Sequence, residues 1–566
     1  MRGADVIVEM LKAYGVDYVF GVPGDTTMPL YDALYQARGA INHVLARDER
    51  SASFMADAYA RLTNRPGICE GPSGGGATYI VPGVAEANGS SIPVICFTSD
   101  NPLRWEHTGA LTAIDQVALL KPATKWNTAV KQADRLPDLI RRAFREATSG
   151  RPGAVHLSLP EDVLETGVDN PRIYAEDACA SFPSYRTRPS RAESETIYRA
   201  LKAARQPMIV AGGGVTIAQG GEELARLAAL LEIPVGTTIN GKGSMPEYSP
   251  WSVGVIGGNG GRPYANQLMR EADTILYLGT KVNYLVTLNG SIPAPEVTVL
   301  QIDVDPNELG NNVRLSAGAA ADAREALRDL VALAEADSDR RLVREVGAAE
   351  LARRAGEFWQ AFQAKAADDS FPVKPQRIIA ALEELLPERA VIVADPGTMT
   401  PFTAANFRVH QSGRSVVIPR AHGGLGYALP ASVGAACARP GERIVALIGD
   451  GSFGMSGTEL ETVGRMNLPI TFIQFSNGSF GWIKMLQKLY FSDRYHNVDF
   501  TSTVDYAGAA TALGVPGVRV EHADQLADVI AESLRAEGPL FIDVPTESEL
   551  EETPPVHAWQ QALGLV

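Results

Sequence analysis

Short runs of β-branched and aliphatic residues recur along the chain, separated by apolar helical stretches. To about residue 170 they include "HVLAR" (43–47), "PVICFT" (93–98) and "AVHLSLP" (154–160). A second part carries "PMIVAGGGV" (207–215), "DTILYLGT" (273–280) and "VTVLQIDVD" (297–305). A third carries "AVIVAD" (390–395), "RIVALIGD" (443–450), "ITFIQFS" (470–476) and "PLFIDVP" (539–545). Alternation of such strands with helices predicts parallel sheets covered on both faces. "SFPSYRTRPSRAES" (181–194) reads as a linker, and the Ala-, Glu- and Arg-rich stretch 319–368 as a helical connection to the third part. The predicted fold is α/β, with three domains at 1–175, 190–335 and 365–550, each a doubly wound, mostly parallel sheet.

Length supports that division, since 566 residues exceed one ordinary core. The net charge of −15 argues against nucleic acid and anionic membranes as partners, so an anionic substrate needs local cations or backbone N–H groups. Cys69, Cys96, Cys179 and Cys437 are far apart, which excludes zinc-ligand spacing and a disulfide framework and fits a reducing cytoplasm. Asp5 and Glu9 interrupt the first apolar stretch, so it does not read as a signal segment. No uncharged apolar run approaches the roughly 18 residues of a membrane span.

The chemistry concentrates in "RIVALIGDGSFGMSGTELETVGRMNLPITFIQFSNGSFGW" (443–482). One strand runs into Gly449-Asp450-Gly451-Ser452, and the next ends at Asn477-Gly478. In a parallel sheet both ends lie at the same carboxyl edge, which makes Asp450 and Asn477 neighbours. A carboxylate and an amide oxygen suit Mg²⁺, which takes one or two protein ligands plus phosphate oxygens. The glycines allow close backbone approach to a diphosphate, and a helix N-terminus favours anions. Taken singly, Asp and Asn are also ordinary turn caps.

This segment resembles the thiamine-diphosphate enzymes of the acetohydroxyacid synthase, pyruvate oxidase and pyruvate decarboxylase group, whose metal–diphosphate signature is GDG followed by Asn-Asn. Here Ser476 takes the place of the first Asn. The resemblance covers nearly the whole chain and implies pyrimidine-binding, central Rossmann-like and diphosphate-binding domains in that order. It implies thiamine diphosphate and Mg²⁺ as cofactors. The metal ligands would be Asp450, Asn477 and the carbonyl of Ser479, with Gly451, Ser452, Phe480 and Gly481 completing the cofactor cradle. "HVLARDERSASFMADAYARLT" (43–63) resembles the segment in which a Glu, here Glu49, hydrogen-bonds the cofactor's pyrimidine and promotes its imino tautomer. A carboxyl withdrawn from water has the raised proton affinity this needs. "RAHGGLGYALPASVGAA" (420–436) resembles the cradling loop, in which the Gly423 carbonyl accepts from the cofactor's amino group and Leu425 enforces its bent shape. "ADPGTMTPFTAAN" (394–406) matches a diphosphate loop through Gly397, Thr398 and Met399.

Those motifs fix the steps shared by decarboxylases and carboligases. The substrate chamber decides the outcome, and its candidates are Asp25, Thr112, His107, Trp482 and Leu486. Asp25 lies in "VPGD", shared with pyruvate decarboxylases, and Thr112 falls where acetohydroxyacid synthases carry a Gln. Both are taken as catalytic candidates; as a plain turn residue Asp25 would need no such role. Leu285 stands where those synthases place the Arg that anchors the acceptor carboxylate, which argues against acetohydroxyacid synthesis itself. The expected activity is acetolactate synthase-like: decarboxylation of a 2-oxo acid, ligation to a carbonyl acceptor, or both. The alternative is an oxalyl-CoA decarboxylase or 2-hydroxyacyl-CoA lyase with an acyl-CoA substrate, drawn from "VNYL" and "IDQ" with "KP". An inactive regulatory homologue is the remote alternative. The glycine-rich "VAGGGVTIAQGGEELARLA" (210–228) resembles the part that holds FAD or ADP in relatives, but the family keeps this fold without a nucleotide, so FAD or ADP is the lesser expectation. A nicotinamide site would need GxGxxG, which this stretch lacks. The resemblance also implies a homodimer as the minimum active unit and commonly a homotetramer, because Glu49 and Asp450 of one site come from different subunits.

Overall fold

The computed structural model describes residues 1–338, 341–500 and 504–565. Three six-stranded parallel sheets account for the alternation of strands and helices. The first contains β1 (Tyr18–Gly21), β2 (Asn42–Leu45), β3 (Gly67–Gly71), β4 (Val94–Asp100), β5 (Trp126–Ala129) and β6 (Val155–Pro160), in the order β2-β1-β3-β4-β6-β5. The second contains β7 (Pro207–Ala211), β8 (Val235–Thr237), β9 (Ser252–Val255), β10 (Thr274–Leu278), β11 (Thr298–Asp303) and β12 (Ala317–Ala320), in the order β12-β11-β10-β7-β8-β9. The third contains β13 (Val391–Ala394), β14 (Val416–Val417), β15 (Ile444–Gly449), β16 (Ile470–Ser476), β17 (Gly517–Arg519) and β18 (Leu540–Pro545), in the order β14-β13-β15-β16-β18-β17.

The first and third sheets thus share one topology. The second has the order of a dinucleotide fold. The central strands are buried along nearly their whole length, as β4, β6, β7 and β10 show. That is why they read as continuous apolar runs rather than as alternating ones.

Two expectations need correction. The stretch 181–194 is a connection only as far as Ser190, because helix Arg191–Ala203 begins inside it. Ser190 Oγ accepts from Glu193 N–H, and Glu193 accepts in turn from Ser190 N–H at 2.7 Å, a capping box that the sequence contained. The stretch 319–368 is not one connection. Ala326, Leu327 and Leu330 of helix Ala323–Ala336 pack in the core of the second sheet. Helix Ala348–Ala366 places Leu351 against the second sheet's core and Phe362 in the third's, so it bridges the two.

The first and third sheets meet through helices Glu49–Thr63 and Ala428–Ala438. Small residues permit this: a Cβ on Gly434 would lie 2.1 Å from the Met55 carbonyl oxygen. Tyr427 Oη donates to Asp57 Oδ2 at 2.6 Å across the same contact. The second and third sheets are joined by a buried charge cluster. Lys242 and Arg262 share Glu247 and also donate to the carbonyls of Phe407 and Ala405, at 2.6 and 2.8 Å. Those carbonyls close helix Met399–Asn406, where the helix dipole favours cations. Among the described residues no helix is long and apolar enough to cross a membrane.

Candidate functional site

The order of the third sheet reverses between β13 and β15, and the loops at that carboxyl edge build a cavity of about 350 Å³. Asp450 opens helix Asp450–Ser456 directly after β15 and is 5 % exposed. Asn477 follows the neighbouring strand β16, and its N–H donates to Asp450 Oδ2 at 2.9 Å; Gly478 N–H adds a second bond at 3.3 Å. Gly478 has φ +70°, which turns the chain sharply enough to aim both N–H groups at one oxygen. Asp450 Oδ1 is buried and has no partner. Burial raises the proton affinity of this carboxyl, against the two N–H bonds and a contact to Tyr506 that lower it.

An unpaired buried carboxylate oxygen is costly unless a cation or proton meets it. Among the described residues no group of three or more His, Cys, Asp or Glu side chains is arranged around a metal position. The oxygens free to meet a cation at the cavity are those of the Asp450 carboxylate, the Asn477 amide and the Ser479 main chain, a hard-oxygen set that leaves room for phosphate oxygens, while a second lining carboxylate, Glu549, accepts from the Asn477 amide nitrogen. The site therefore fits a divalent cation carrying a diphosphate.

The other candidates group around it. Gly397 and Thr398 enter from the loop after β13, and Gly423 and Leu425 from the loop before helix Ala428–Ala438. Gly451, Ser452, Phe480, Gly481 and Trp482 complete the wall. A Cβ on Gly451 would lie 2.4 Å from the Phe480 ring, so residue 451 has room only for hydrogen. Leu486 does not line this cavity; it packs with Met485, Val556 and Trp559 in a small cluster formed by the C-terminal segment. Trp482 does both, its ring lying 4.4 Å from that of Trp559.

Two carboxylates that the sequence reading passed over hold the cradle in shape. Asp395, fully buried after β13, accepts from Gly426, Tyr427 and Ala428 N–H at 2.9, 3.0 and 3.1 Å. Burial pushes its pKa up to about 6 despite these donors. The "ADPG" at a strand end was the available signal, since an acid preceding Pro-Gly is placed to cap a neighbouring turn. Glu86, on helix Val81–Gly89 of the first sheet, accepts from Arg420 N–H at 3.0 Å and His422 N–H at 2.7 Å, and from Arg61 at 3.1 Å. It had no sequence signal for this role, because the loop whose N–H groups it anchors lies more than 300 positions away.

Burial alone would raise the Glu86 pKa, but Arg61, the N–H donors and the Ser90 hydroxyl outweigh it and leave it below the ordinary glutamate value of 4.5. A depressed folded-state pKa means that the contribution is complete above pH 4.5 and is lost as pH falls through the folded value. Glu86→Gln is expected to cost roughly 3 kcal/mol at pH 7, because the Arg61 charge loses a buried partner. The gap to wild type should narrow below the unfolded value of 4.5. Thermal unfolding across pH 7 to 3.5 measures this, and a constant gap would contradict it.

The candidates of the first sheet gather elsewhere. Glu49 begins helix Glu49–Thr63, with Asp48 capping it by accepting from Arg50 N–H at 2.7 Å. It is 8 % exposed and lies against Gly71 and Gly76, where a Cβ on either would meet the Glu49 side chain at 3.2 or 2.9 Å. Burial raises its proton affinity, and the charges of Asp48 and Glu70 add to the effect. Thr112, in a left-handed conformation, hydrogen-bonds Ser73 Oγ at 2.7 Å, and Thr26 joins Ser73 to Ser99. Asp25 is exposed at the start of the turn Asp25–Thr27. His107 has 92 % of its side chain in solvent. Within one chain none of Glu49, Asp25, Thr112 and His107 lines the cavity that holds Asp450.

A second cavity, of about 430 Å³, lies where the order of the second sheet reverses, between β7 and β10. Gly213, Gly214 and Gly279 form its floor and Lys281, Arg414 and Arg420 supply cations. Arg420 lines both cavities. Leu285 lines this second cavity, not the first.

Comparison with known proteins agrees with this architecture. Family models match at residues 1–119 for the N-terminal thiamine pyrophosphate-binding domain, 194–330 for the central domain and 395–544 for the C-terminal thiamine pyrophosphate-binding domain of thiamine pyrophosphate enzymes. The probable acetolactate synthase large subunit of Methanocaldococcus jannaschii is 33 % identical over 96 % of this chain and 92 % of its own. The acetolactate synthase isozyme 2 large subunit of Escherichia coli is 31 % identical over 98 % and 97 %. The chloroplastic acetolactate synthase 2 of Zea mays is 32 % identical over 96 % and 85 %. With three matched domains, one on each sheet, and relatives alike along nearly the full length, the chain belongs to the thiamine pyrophosphate enzymes, the family that includes the acetolactate synthase large subunits.

Proposed function

We propose that this chain, with thiamine diphosphate and Mg²⁺, removes CO₂ from a 2-oxo acid and transfers the remaining acyl group to a carbonyl acceptor. One 2-oxo acid, one carbonyl compound and one proton give one CO₂ and one 2-hydroxy ketone. With a proton as the only acceptor the product is an aldehyde. The coenzyme, when bound, supplies the electron sink for the bond cleavage.

The observation that carries this reading is the meeting of Asp450 and Asn477 at a glycine-walled cavity, with Asp450 Oδ1 left unpaired. Asp450, Asn477 and the Ser479 carbonyl would hold Mg²⁺. Gly397, Thr398, Gly451 and Ser452 would bind the diphosphate, with Phe480 and Gly481 shaping the wall. The Gly423 carbonyl and the Leu425 side chain would orient the rest of the coenzyme, a positioning effect whose rate consequences are large. Glu49, in its dry setting, would hold or release a proton at its carboxyl oxygen toward the coenzyme's ring nitrogen. Because Glu49 is outside the Asp450 cavity in one chain, we place it in the cavity of a second copy, with a homodimer as the minimum unit. Asp25 and Thr112 would then act on substrate protons, and His107 and Trp482 would bound the substrate chamber. Leu486 is left in core packing.

An acyl-CoA substrate is the second reading. Its support is the cation-bearing cavity beside the first, with Arg420 common to both, since phosphates pair with guanidinium groups. A panel of 2-oxo acids and acyl-CoA thioesters, each with and without aldehyde acceptors and with product mass determination, separates the two. Hydroxy ketone or aldehyde from a 2-oxo acid, dependent on both cofactors, is the expected result. Turnover of thioesters alone would replace this reading with the second.

A further inference from the structure

The C-terminal segment brings a second carboxylate, beside that of Asp450, to the cavity. After β18 the chain alternates acids that face different ways. Glu547 pairs with Lys374 at 2.7 Å, and Gln376 donates to Glu552 at 2.8 Å. Glu549, 5 % exposed, turns inward instead and lines the cavity beside Asn477. Asn477 Nδ2 donates to both Glu549 oxygens, each at 3.1 Å. Room for this carboxylate exists only because residue 481 is glycine; a Cβ there would lie 1.7 Å from Glu549 Oε2. The segment that carries it is held in place downstream. Gly260 N–H donates to the Pro555 carbonyl at 2.8 Å, His557 N–H to the Gly258 carbonyl at 3.0 Å, and Trp559 packs on Trp482.

The chemistry of the pair is one-sided. A carboxylate only accepts and an amide NH₂ only donates, so two acceptor oxygens select the nitrogen end of Asn477. The amide oxygen is thereby turned to the other side, where it accepts from Ser479 N–H and Oγ at 3.2 and 3.0 Å. A hard cation needs that oxygen, and a flipped amide would present it with an NH₂ group. We propose that Glu549 is a positioning residue that fixes Asn477 with its oxygen toward the bound metal ion. This rests on the reading of Asn477 as a metal ligand. Residues behind metal ligands orient them in this way, and their loss lowers metal affinity by about 10–100-fold.

The test titrates Mg²⁺ into full-length protein with saturating thiamine diphosphate, read by quenching of tryptophan fluorescence, with Trp482 in the cavity wall. Wild type, Glu549→Gln, Asn477→Asp and the double variant are compared. Glu549→Gln removes the bias on the amide and should raise the half-saturating Mg²⁺ concentration at least about 10-fold. Asn477→Asp sets two carboxylates against each other and should weaken binding at least as much. In the double variant the new Gln amide donates to the new Asp, and affinity should recover relative to Asn477→Asp alone. A role confined to packing predicts no such recovery. A wild-type Mg²⁺ requirement in Glu549→Gln, or a double variant no better than Asn477→Asp, would overturn the role of Glu549 alone. Mg²⁺-independent quenching of the wild type would overturn the metal-site reading and this inference with it.

Discussion

Asp450→Ala is expected to abolish the Mg²⁺-dependent retention of thiamine diphosphate while leaving the fold of the third sheet in place. The two carboxylate oxygens have separate tasks. Oδ2 holds the turn after β16 by accepting from Asn477 and Gly478 N–H, and Oδ1 is the unpaired buried acceptor. Alanine removes both, so the turn loses its anchor as the cation loses its only charged protein ligand. Truncating one partner of a buried, hydrogen-bonded charge pair costs about 2–5 kcal/mol. Taking ~3 kcal/mol, the cofactor should bind at least ~100-fold more weakly in the presence of Mg²⁺. Asp450→Asn separates the two tasks. Its amide keeps the side-chain volume but offers a neutral group, so the turn should persist better than the metal affinity does. Equilibrium dialysis of thiamine diphosphate with and without Mg²⁺ measures both variants, and circular dichroism reports the fold. Cofactor affinity in Asp450→Ala equal to that of wild type with Mg²⁺ would dispose of the metal site.

The contact on which that prediction depends was legible in the sequence for a physical reason. β15 and β16 are long, apolar and buried on both faces, so they stand out as strands, and parallel pairing puts their carboxyl ends side by side. Asp450 and Asn477 needed no further information to be placed together. The strands that gave no clear signal are short: β8 and β17 have three residues each and β14 has two, and the half-exposed β17 lacks a continuous apolar run. Glu86 and Glu549 escaped for a different reason. Each shapes the site through groups supplied by a distant part of the chain, the N–H groups of the loop at 420–423 for Glu86 and the Asn477 amide for Glu549, which no local pattern announces. Helix Ala323–Ala336 was read as a connection because its polar face dominates the composition, although the stripe through Ala326, Leu327 and Leu330 is spaced for packing on a sheet. Leu486 is a pocket candidate in the sequence because its segment follows the loop that carries Asn477. The C-terminal segment, folding back to place Trp559 beside Trp482, takes that face of the helix instead.

Glu49→Gln is expected to lower turnover by about 10²–10⁴-fold while cofactor affinity changes little. Glutamine has nearly the same shape and still donates a hydrogen bond to a ring nitrogen, so binding keeps its geometry. It has no proton to give up or take back near neutral pH, and that exchange is the role proposed for Glu49. The setting is suited to it: burial raises the proton affinity of the Glu49 carboxyl, with Asp48 and Glu70 adding like charge. Gly71 and Gly76 leave just enough space for the side chain, so Glu49→Asp should not substitute, because it withdraws the carboxyl by one methylene. Steady-state turnover alongside tryptophan quenching by thiamine diphosphate and Mg²⁺ checks both halves of the prediction, and wild-type turnover in Glu49→Gln would remove Glu49 from the mechanism. The same variant tests where the site is assembled. Glu49 lies outside the cavity of Asp450 in its own chain, so a mixed dimer of Glu49→Gln and Asp450→Ala chains would contain one site with both substitutions and one with neither. Mixing two inactive variants under conditions of subunit exchange should therefore restore turnover. If Glu49 and Asp450 served one site within a single chain, every site in the mixture would carry a substitution and no activity would return.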